Sequence, residues 1–193
     1  MTDRRRRLPR AFFERDATEL APDLLGKVLA AGGCAVRIVE VEAYRTDDPA
    51  SHTHRGPTRR NATMFGPGGH LYVYFTYGMH HCANVSAGDT GDGQGVLLRA
   101  AEPLSGLALM RRRRDGRPDR QLLDGPGKLC QALGIDRRLD GADLTARGAV
   151  TLLDDGTGPP VDPLVGPRIG LRVGVDTPWR WIDPRTTLRL RRS

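Results

Sequence analysis

The sequence predicts a single domain of mixed helices and strands (α+β), and three observations carry that prediction. The chain has 193 residues, enough for one well-buried core and short for two. Its middle holds a segment of apolar alternation and two further strand patterns around a tight turn. Short stretches of helical spacing closed by glycine or arginine flank them. No internal repeat and no clean boundary divides residues 11–193, whereas residues 1–10, rich in arginine, read as a disordered basic arm.

The elements follow in order. Ala17 to Gly26 reads as a helix with Leu20, Leu24 and Leu25 inward and Gly26 closing it. Lys27 to Ala31 reads as a strand ended by Gly32-Gly33. Ala35 to Tyr44 alternates as a strand, with Val36, Ile38 and Glu40 against Val39, Val41 and Ala43. Residues 45–70 form a long polar loop with three prolines, a length that in a compact domain signals function or disorder. Leu71 to Tyr77 and His80 to Ala87 make a hairpin about Tyr77-Gly78-Met79, followed by a Gly/Asp-rich turn over 88–95. Val96 to Ala101 reads as a buried strand. Pro103 is expected to open a helix carrying Leu104, Leu107 and Met110 and ending in Arg111 to Arg114, which complements the helix dipole. A further helix spans Asp124 to Leu133, and Val150 to Leu190 is strand-like with a break at Gly156 to Pro163.

The formal charge is +7, and 28 of the 30 basic residues are arginine, Lys27 and Lys128 being the lysines. Such a balance favours a polyanion, nucleic acid ahead of membrane because no amphipathic apolar face accompanies the charge. No apolar run approaches the ~20 residues of a spanning helix, and no apolar stretch follows the basic N-terminus as a secretory signal requires. Cys34, Cys82 and Cys130 are odd in number and widely spaced, and read as reduced, buried residues of a cytoplasmic protein.

The chemistry concentrates between Val39 and Arg99. Three of the four tyrosines sit in the hairpin and the fourth, Tyr44, adjoins Glu42. A carboxylate at a strand end before a loop can face a cleft and act as a general base toward water, although a surface glutamate explains Glu42 equally well by its own motif. Glu40 shares its face and reads as an ion-pair partner. Tyr72 and Tyr74 share one face, suited either to a core or to a pocket lining. Tyr77 on a tight turn is poorly served by core packing and fits a wedge between base steps. The histidines lack any recognised metal-ligand spacing, so no metal is expected. Gly125 to Lys128 could offer backbone N–H groups to one phosphate or simply turn before a helix. Neither lysine lies in the central cluster, so a water-activating carboxylate is more economical than attack through an amine.

Assembled, these residues resemble the alkyladenine (3-methyladenine) DNA glycosylase family. The resemblance is carried by Arg37 to Tyr44, Ala50-Ser51-His52, Arg60-Asn61 with Met64-Phe65, Leu71 to Tyr74 with Tyr77-Gly78-Met79, Cys82 to Ser86, Gly95 to Pro103 and Gly125 to Leu133. It runs from about the first helix to Trp181. Val41 in place of a threonine, His80 in place of an aromatic and a longer 88–95 turn depart from the family pattern.

The resemblance implies a curved, mainly antiparallel, open-barrel-like sheet with surrounding helices and a protruding hairpin, and neither metal nor cofactor. It implies a monofunctional N-glycosyl hydrolase that flips alkylated purines out of duplex DNA and starts base excision repair. Glu42 would activate water and Arg99 would hold the water or the carboxylate. Tyr44 and His52 would stack on one side of the flipped base and Tyr74 on the other, with the His52 backbone at the base edge. Asn84 would narrow the pocket floor against the 2-amino group of guanine. Tyr77 would fill the gap in the duplex, with Met64, Met79 and Lys128 contacting DNA. The expectation is a monomer on nucleoid DNA in a bacterial cytoplasm. The alternative from another class is a non-catalytic nucleic-acid-binding protein that uses the tyrosines as a stacking platform. A carbohydrate glycosidase would want two catalytic carboxylates in its cleft and no basic surface.

Overall fold

The computed structural model describes residues 5–190. The alternating segment forms the long central strand β3 (Cys34–Tyr44), hairpin-linked to β2 (Val28–Ala31) and paired along its length with β6 (Gln94–Ser105). The tyrosine-rich segment gives β4 (His70–Thr76) and β5 (His80–Ala87), and β5 lies against β6. Short strands complete the sheet: β1 (Arg6–Arg7), β7 (Ala142–Asp143), β8 (Val150–Asp154), β9 (Leu164–Gly166) and β10 (Arg180–Ile182). The order is β1-β8-β2-β3-β6-β5-β4-β7, with β10 joining the C-terminal half of β3 and β9 joining β10; every pairing is antiparallel. The sheet curls into a half-barrel, and Leu152 N–H donates to the Leu144 carbonyl where its two ends approach.

Three helices cover it: α1 (Ala17–Leu24), α2 (Leu107–Arg113) and α3 (Pro126–Leu133). Asp16 caps α1 by accepting the Thr18 N–H at 2.9 Å, and the buried face is Ala17, Leu20, Ala21 and Leu24 as the spacing predicts. Gly134, at φ +69°, closes α3. One core joins these faces to Val36, Ile38, Val41, Ala43, Val73, Val85 and Leu98. Cys34, Cys82 and Cys130 are buried and unpaired, and among the described residues no helix is long and apolar enough to cross a membrane.

Several expectations are corrected. Alternation assigns Val36, Ile38 and Glu40 to one face. The register instead runs Ile38↔Ala101, Glu40↔Ala100 and Val41↔Leu98, so Val39 is an extra residue on β3 and Arg99 an extra residue on β6. These two bulges reverse the alternation of both strands. Ile38 and Val41 therefore both enter the core, and Glu40, Glu42, Leu97 and Arg99 gather on the other side. Pro103 does not open a helix. It continues β6 opposite Val36, beside an irregularity in the ladder where its missing N–H is tolerated, and Gly106 at φ +81° makes the turn into α2. The arm over 1–10 is not disordered where it is described: Arg6 and Arg7 pair with β8, and Arg10 bonds the Gly68 carbonyl and Asp143. Residues 1–4 lie outside the described residues. Much of 155–190 forms no strand, because glycine and proline break the ladder around β9 and before β10.

Candidate active site

Glu42 sits two pairs from the end of the β3–β6 ladder, and its side chain is wholly buried, with 0% exposure. Three donors hold its carboxylate. Ile169 N–H donates to Oε1 at 2.7 Å, Tyr44 OH donates to Oε2 at 2.9 Å, and Arg99 Nη1 lies 3.2 Å from Oε2. The same arginine donates from Nε to Glu40 Oε1 at 3.2 Å, and Arg180 Nη1 reaches that oxygen at 3.0 Å. Two carboxylates and two guanidiniums thus share one buried network and compensate each other's charge. The β6 bulge is what aims Arg99 into it, since regular pleating through residue 99 would shift the flanking side chains to the wrong faces.

Burial pushes the Glu42 carboxyl above the ordinary glutamate range, against the opposing pull of Arg99, the Ile169 amide and Tyr44. Burial also raises the Tyr44 phenol, and the neighbouring Glu42 charge adds to it, so Tyr44 remains a hydrogen-bond donor at neutral pH. Desolvation would discharge Arg99, but the charges of Glu42 and Glu40 outweigh it and keep the guanidinium protonated.

In front of this network lies a cavity of about 340 Å³, within the ~300–1,000 Å³ of ligand pockets. Tyr44 and Arg99 lie between it and the Glu42 carboxylate. On another part of the wall His52 and Tyr74 meet edge to face at 4.5 Å, Tyr72 stacks on Tyr74 at 5.7 Å, and Tyr72 OH lies 3.3 Å from His52 Nδ1. Desolvation of the His52 ring, with Arg60 adding, lowers its pKa, so the ring is neutral at pH 7. Asn84, on β5 opposite Leu97, also faces the cavity and donates to the Tyr72 carbonyl at 3.4 Å.

The loop over 45–70 is ordered by two side chains. Asn61 Nδ2 donates to the His52 carbonyl at 2.8 Å and the Gly56 carbonyl at 3.1 Å. Asp48 accepts the Ala50 N–H at 3.0 Å and ion-pairs with Arg168. These contacts fix the His52 backbone, whose carbonyl is therefore engaged inside the protein.

At the rim, the hairpin turn places Tyr77 at φ +51° and Gly78 at φ +64°, the two left-handed residues of a type I′ turn. A tyrosine there is strained, and its side chain is 82% exposed, with Met79 beside it at 69%. A Cβ on Gly127 would come within 3.0 Å of the His80 side chain, so the start of α3 lies against the hairpin. Lys128 in that turn is half-exposed and pairs with Asp124 at 2.9 Å.

The structure therefore brings together Glu42, Arg99, Tyr44, His52, Tyr74 and Asn84, and sets Tyr77 on the rim with Met79 exposed beside it, whereas Lys128, in the first turn of α3, does not line the cavity. Two placements differ from expectation. His52 lies edge to face against Tyr74, the ring it was expected to oppose. Met64 is only 2% exposed and lines the cavity, because Ala62–Phe65 forms a turn of 3₁₀ helix packed beneath it, so it cannot touch the surface of a duplex. Sequence reasoning missed Ile169, Arg168, Asp48 and Cys82. No motif spacing marks Ile169, because its part is played by a backbone N–H, which carries no sequence signature.

The half-barrel thus sets a buried polar network behind an aromatic cavity, with an exposed hairpin in front. The chain belongs to the methylpurine-DNA glycosylase (MPG) family, whose profile matches residues 11–187. It is 60% identical over 181 residues to a protein of Burkholderia lata, covering 92% of this chain and 87% of that one. A protein of Streptomyces avermitilis is 48% identical over 191 residues, covering 94% and 90%. One of Carboxydothermus hydrogenoformans is 47% identical over 181 residues, covering 90% and 93%. Each of the three bears a name that refers to 3-methyladenine DNA glycosylase.

Proposed function

We propose that this chain flips alkylated purines, 3-methyladenine among them, out of duplex DNA and hydrolyses their N-glycosidic bond. The observation that carries the reading is the buried Glu42 carboxylate, held by three donors directly behind the Tyr44 and Arg99 side chains that line an aromatic cavity. A carboxylate offers about four lone-pair positions. Ile169 occupies one on Oε1, and Tyr44 and Arg99 occupy two on Oε2, which leaves one on Oε1 for a water.

Alkylation at a ring nitrogen places positive charge on the purine, so the base leaves as a neutral molecule when the C1′–N bond breaks. Water then adds its oxygen to the oxocarbenium-like sugar carbon and gives a proton to Glu42. Tyr44 on one side and the His52–Tyr74 wall on the other sandwich the base, and Asn84 bounds the floor. Tyr77 enters the stack from the minor groove and occupies the vacated place. Neither lysine lines the cavity, Lys27 pairing with Asp154 and Lys128 with Asp124, which supports hydrolysis without a strand-cutting step. Binding by arginine is sequence-independent and salt-sensitive. The enzyme acts as a monomer on chromosomal DNA in the bacterial cytoplasm, where its substrate is.

The test is chromatography of the free base released from methylated duplex DNA. Release of 3-methyladenine with intact strands is expected. Tight binding of the same DNA with no base released would replace this reading with that of a non-catalytic binding protein.

A further inference from the structure

Pro167 to Val175 forms neither helix nor strand, yet two consecutive residues of it reach different parts of the site. Ile169 N–H holds Glu42 Oε1. Arg168, whose side chain is 0% exposed, ion-pairs with Asp48 through both terminal nitrogens and donates from Nη1 to the Ala43 carbonyl at 3.0 Å. Its guanidinium carbon lies 4.6 Å from the Tyr44 ring centroid and 5.2 Å from that of Trp179. Its Nε has no hydrogen-bond partner among the described residues.

A bare ion pair with Asp48 would be served by a lysine. The unpartnered Nε and the two ring contacts show that the flat group is used as a plate as well as a charge. Gly174 confirms how tightly the segment wraps it: at φ +61°, a Cβ there would lie 3.2 Å from Arg168 Nη2 and 3.3 Å from Asp48 Oδ1. Asp48 in turn organises the loop leading to His52, since it accepts the Ala50 N–H on its side chain and the Ser51 N–H on its carbonyl.

We propose that Arg168 is a positioning residue for base excision: its guanidinium locks the Tyr44 ring, the loop leading to His52 and the Ile169 amide to one another, and so sets the spacing of the base slot and the orientation of the Glu42 carboxylate. The proposal rests on the function given above and adds a residue to it that never touches the substrate. Arg168 backs one face of the Tyr44 ring and leaves the other to the base. Through the next peptide it fixes which lone pair of Glu42 remains for water.

The test uses Arg168→Lys, which keeps a charge for Asp48 but has no plane to lay on Tyr44, and the double variant Arg168→Met/Asp48→Leu, which leaves no buried charge unpaired. Both are expected to melt cooperatively and to bind undamaged duplex within about twofold of the parent, because surface arginines make the phosphate contacts. Single-turnover release of 3-methyladenine at saturating enzyme is expected to fall at least about tenfold in each, as misplacement of reacting groups by a fraction of an ångström predicts. Hydrogen exchange at the Ile169 amide is expected to rise at least about tenfold while exchange in the sheet core stays unchanged. Parent-like excision by either variant, or unchanged Ile169 exchange in both, overturns the proposal. The exchange measurement does not depend on activity, so a parent that released no base would defeat the function while Arg168 was still judged by the Ile169 amide.

Discussion

Glu42→Gln is the most searching perturbation of the proposed chemistry, because the structure fixes what it removes. The glutamine is isosteric, so the cavity in front keeps its shape. Its amide oxygen can still accept the Ile169 N–H, now at 2.7 Å, whereas its NH₂ group cannot accept from Tyr44 or pair with Arg99. Arg99 keeps Glu40 at 3.2 Å, so no guanidinium is stranded. The structural cost is the loss of two interactions at Oε2, from Tyr44 and Arg99, offset by the removal of a buried charge whose desolvation opposes them. The catalytic loss is larger. A positioned general base contributes ~10²–10⁴-fold, or about 3–5 kcal/mol of barrier at 1.36 kcal/mol per tenfold. The assay is single-turnover release of 3-methyladenine from a defined duplex, beside titration of the same duplex and a thermal melt. The expected result is a rate lower by ~10²–10⁴ with duplex affinity within about threefold. Equal release by parent and variant would remove Glu42 from the mechanism. A rate loss matched by an equal loss of affinity would mean that Glu42 shapes the cavity and does not activate water.

Four further outcomes are expected. Since burial raises the Glu42 pKa and the base form is the active one, excision should rise with pH along a limb displaced above the usual glutamate range, and Glu42→Gln should flatten that limb; a limb at an ordinary glutamate value in the parent would contradict the assignment. The same shift has a stability sign: the raised folded-state pKa contributes stability that is complete below the ordinary value and is lost as pH rises through the folded one, so urea melts should show that loss in the parent and not in Glu42→Gln. Tyr77→Ala, at an exposed turn, should leave affinity for undamaged duplex within about twofold but slow excision by ~10-fold, as loss of one base–aromatic stack of ~1–3 kcal/mol implies; an effect confined to salt-dependent affinity would rule out the wedge. Asn84→Ala should open the cavity floor and raise release of unmodified guanine by ~10-fold or more, the scale of one pocket group; parent-like discrimination would take Asn84 out of selectivity.

The first and third helices, the hairpin and the shared face of Glu42 and Tyr44 were legible in the sequence, because each depends on short-range periodicity or turn chemistry. Leu20 and Leu24 lie four apart on a helix face, and Tyr77-Gly78 is the kind of pair a tight hairpin demands. The bulges at Val39 and Arg99 were not legible. Each is a property of the β3–β6 register, and strict alternation argues against both. Pro103 misled for a related reason: its preference for a first helical turn yields to an irregular point in the ladder of a strand 12 residues long. The expected disorder of the arginine arm gave way to a free edge on β8 that Arg6 and Arg7 could cover.

By itself, the sequence determined the residue types and their local settings: a carboxylate at a strand end, tyrosines on one face of a hairpin, a surface rich in arginine. Tertiary structure alone decided that Arg99 turns toward Glu42, that His52 joins Tyr74, that Met64 is buried, and that Arg168 and Ile169, more than 120 residues beyond Glu42, close the site. The physical reason is range. Periodicity and turn preference act over a few residues, whereas a buried carboxylate must find its donors wherever the folded chain presents them, and a backbone amide serves as well as any side chain.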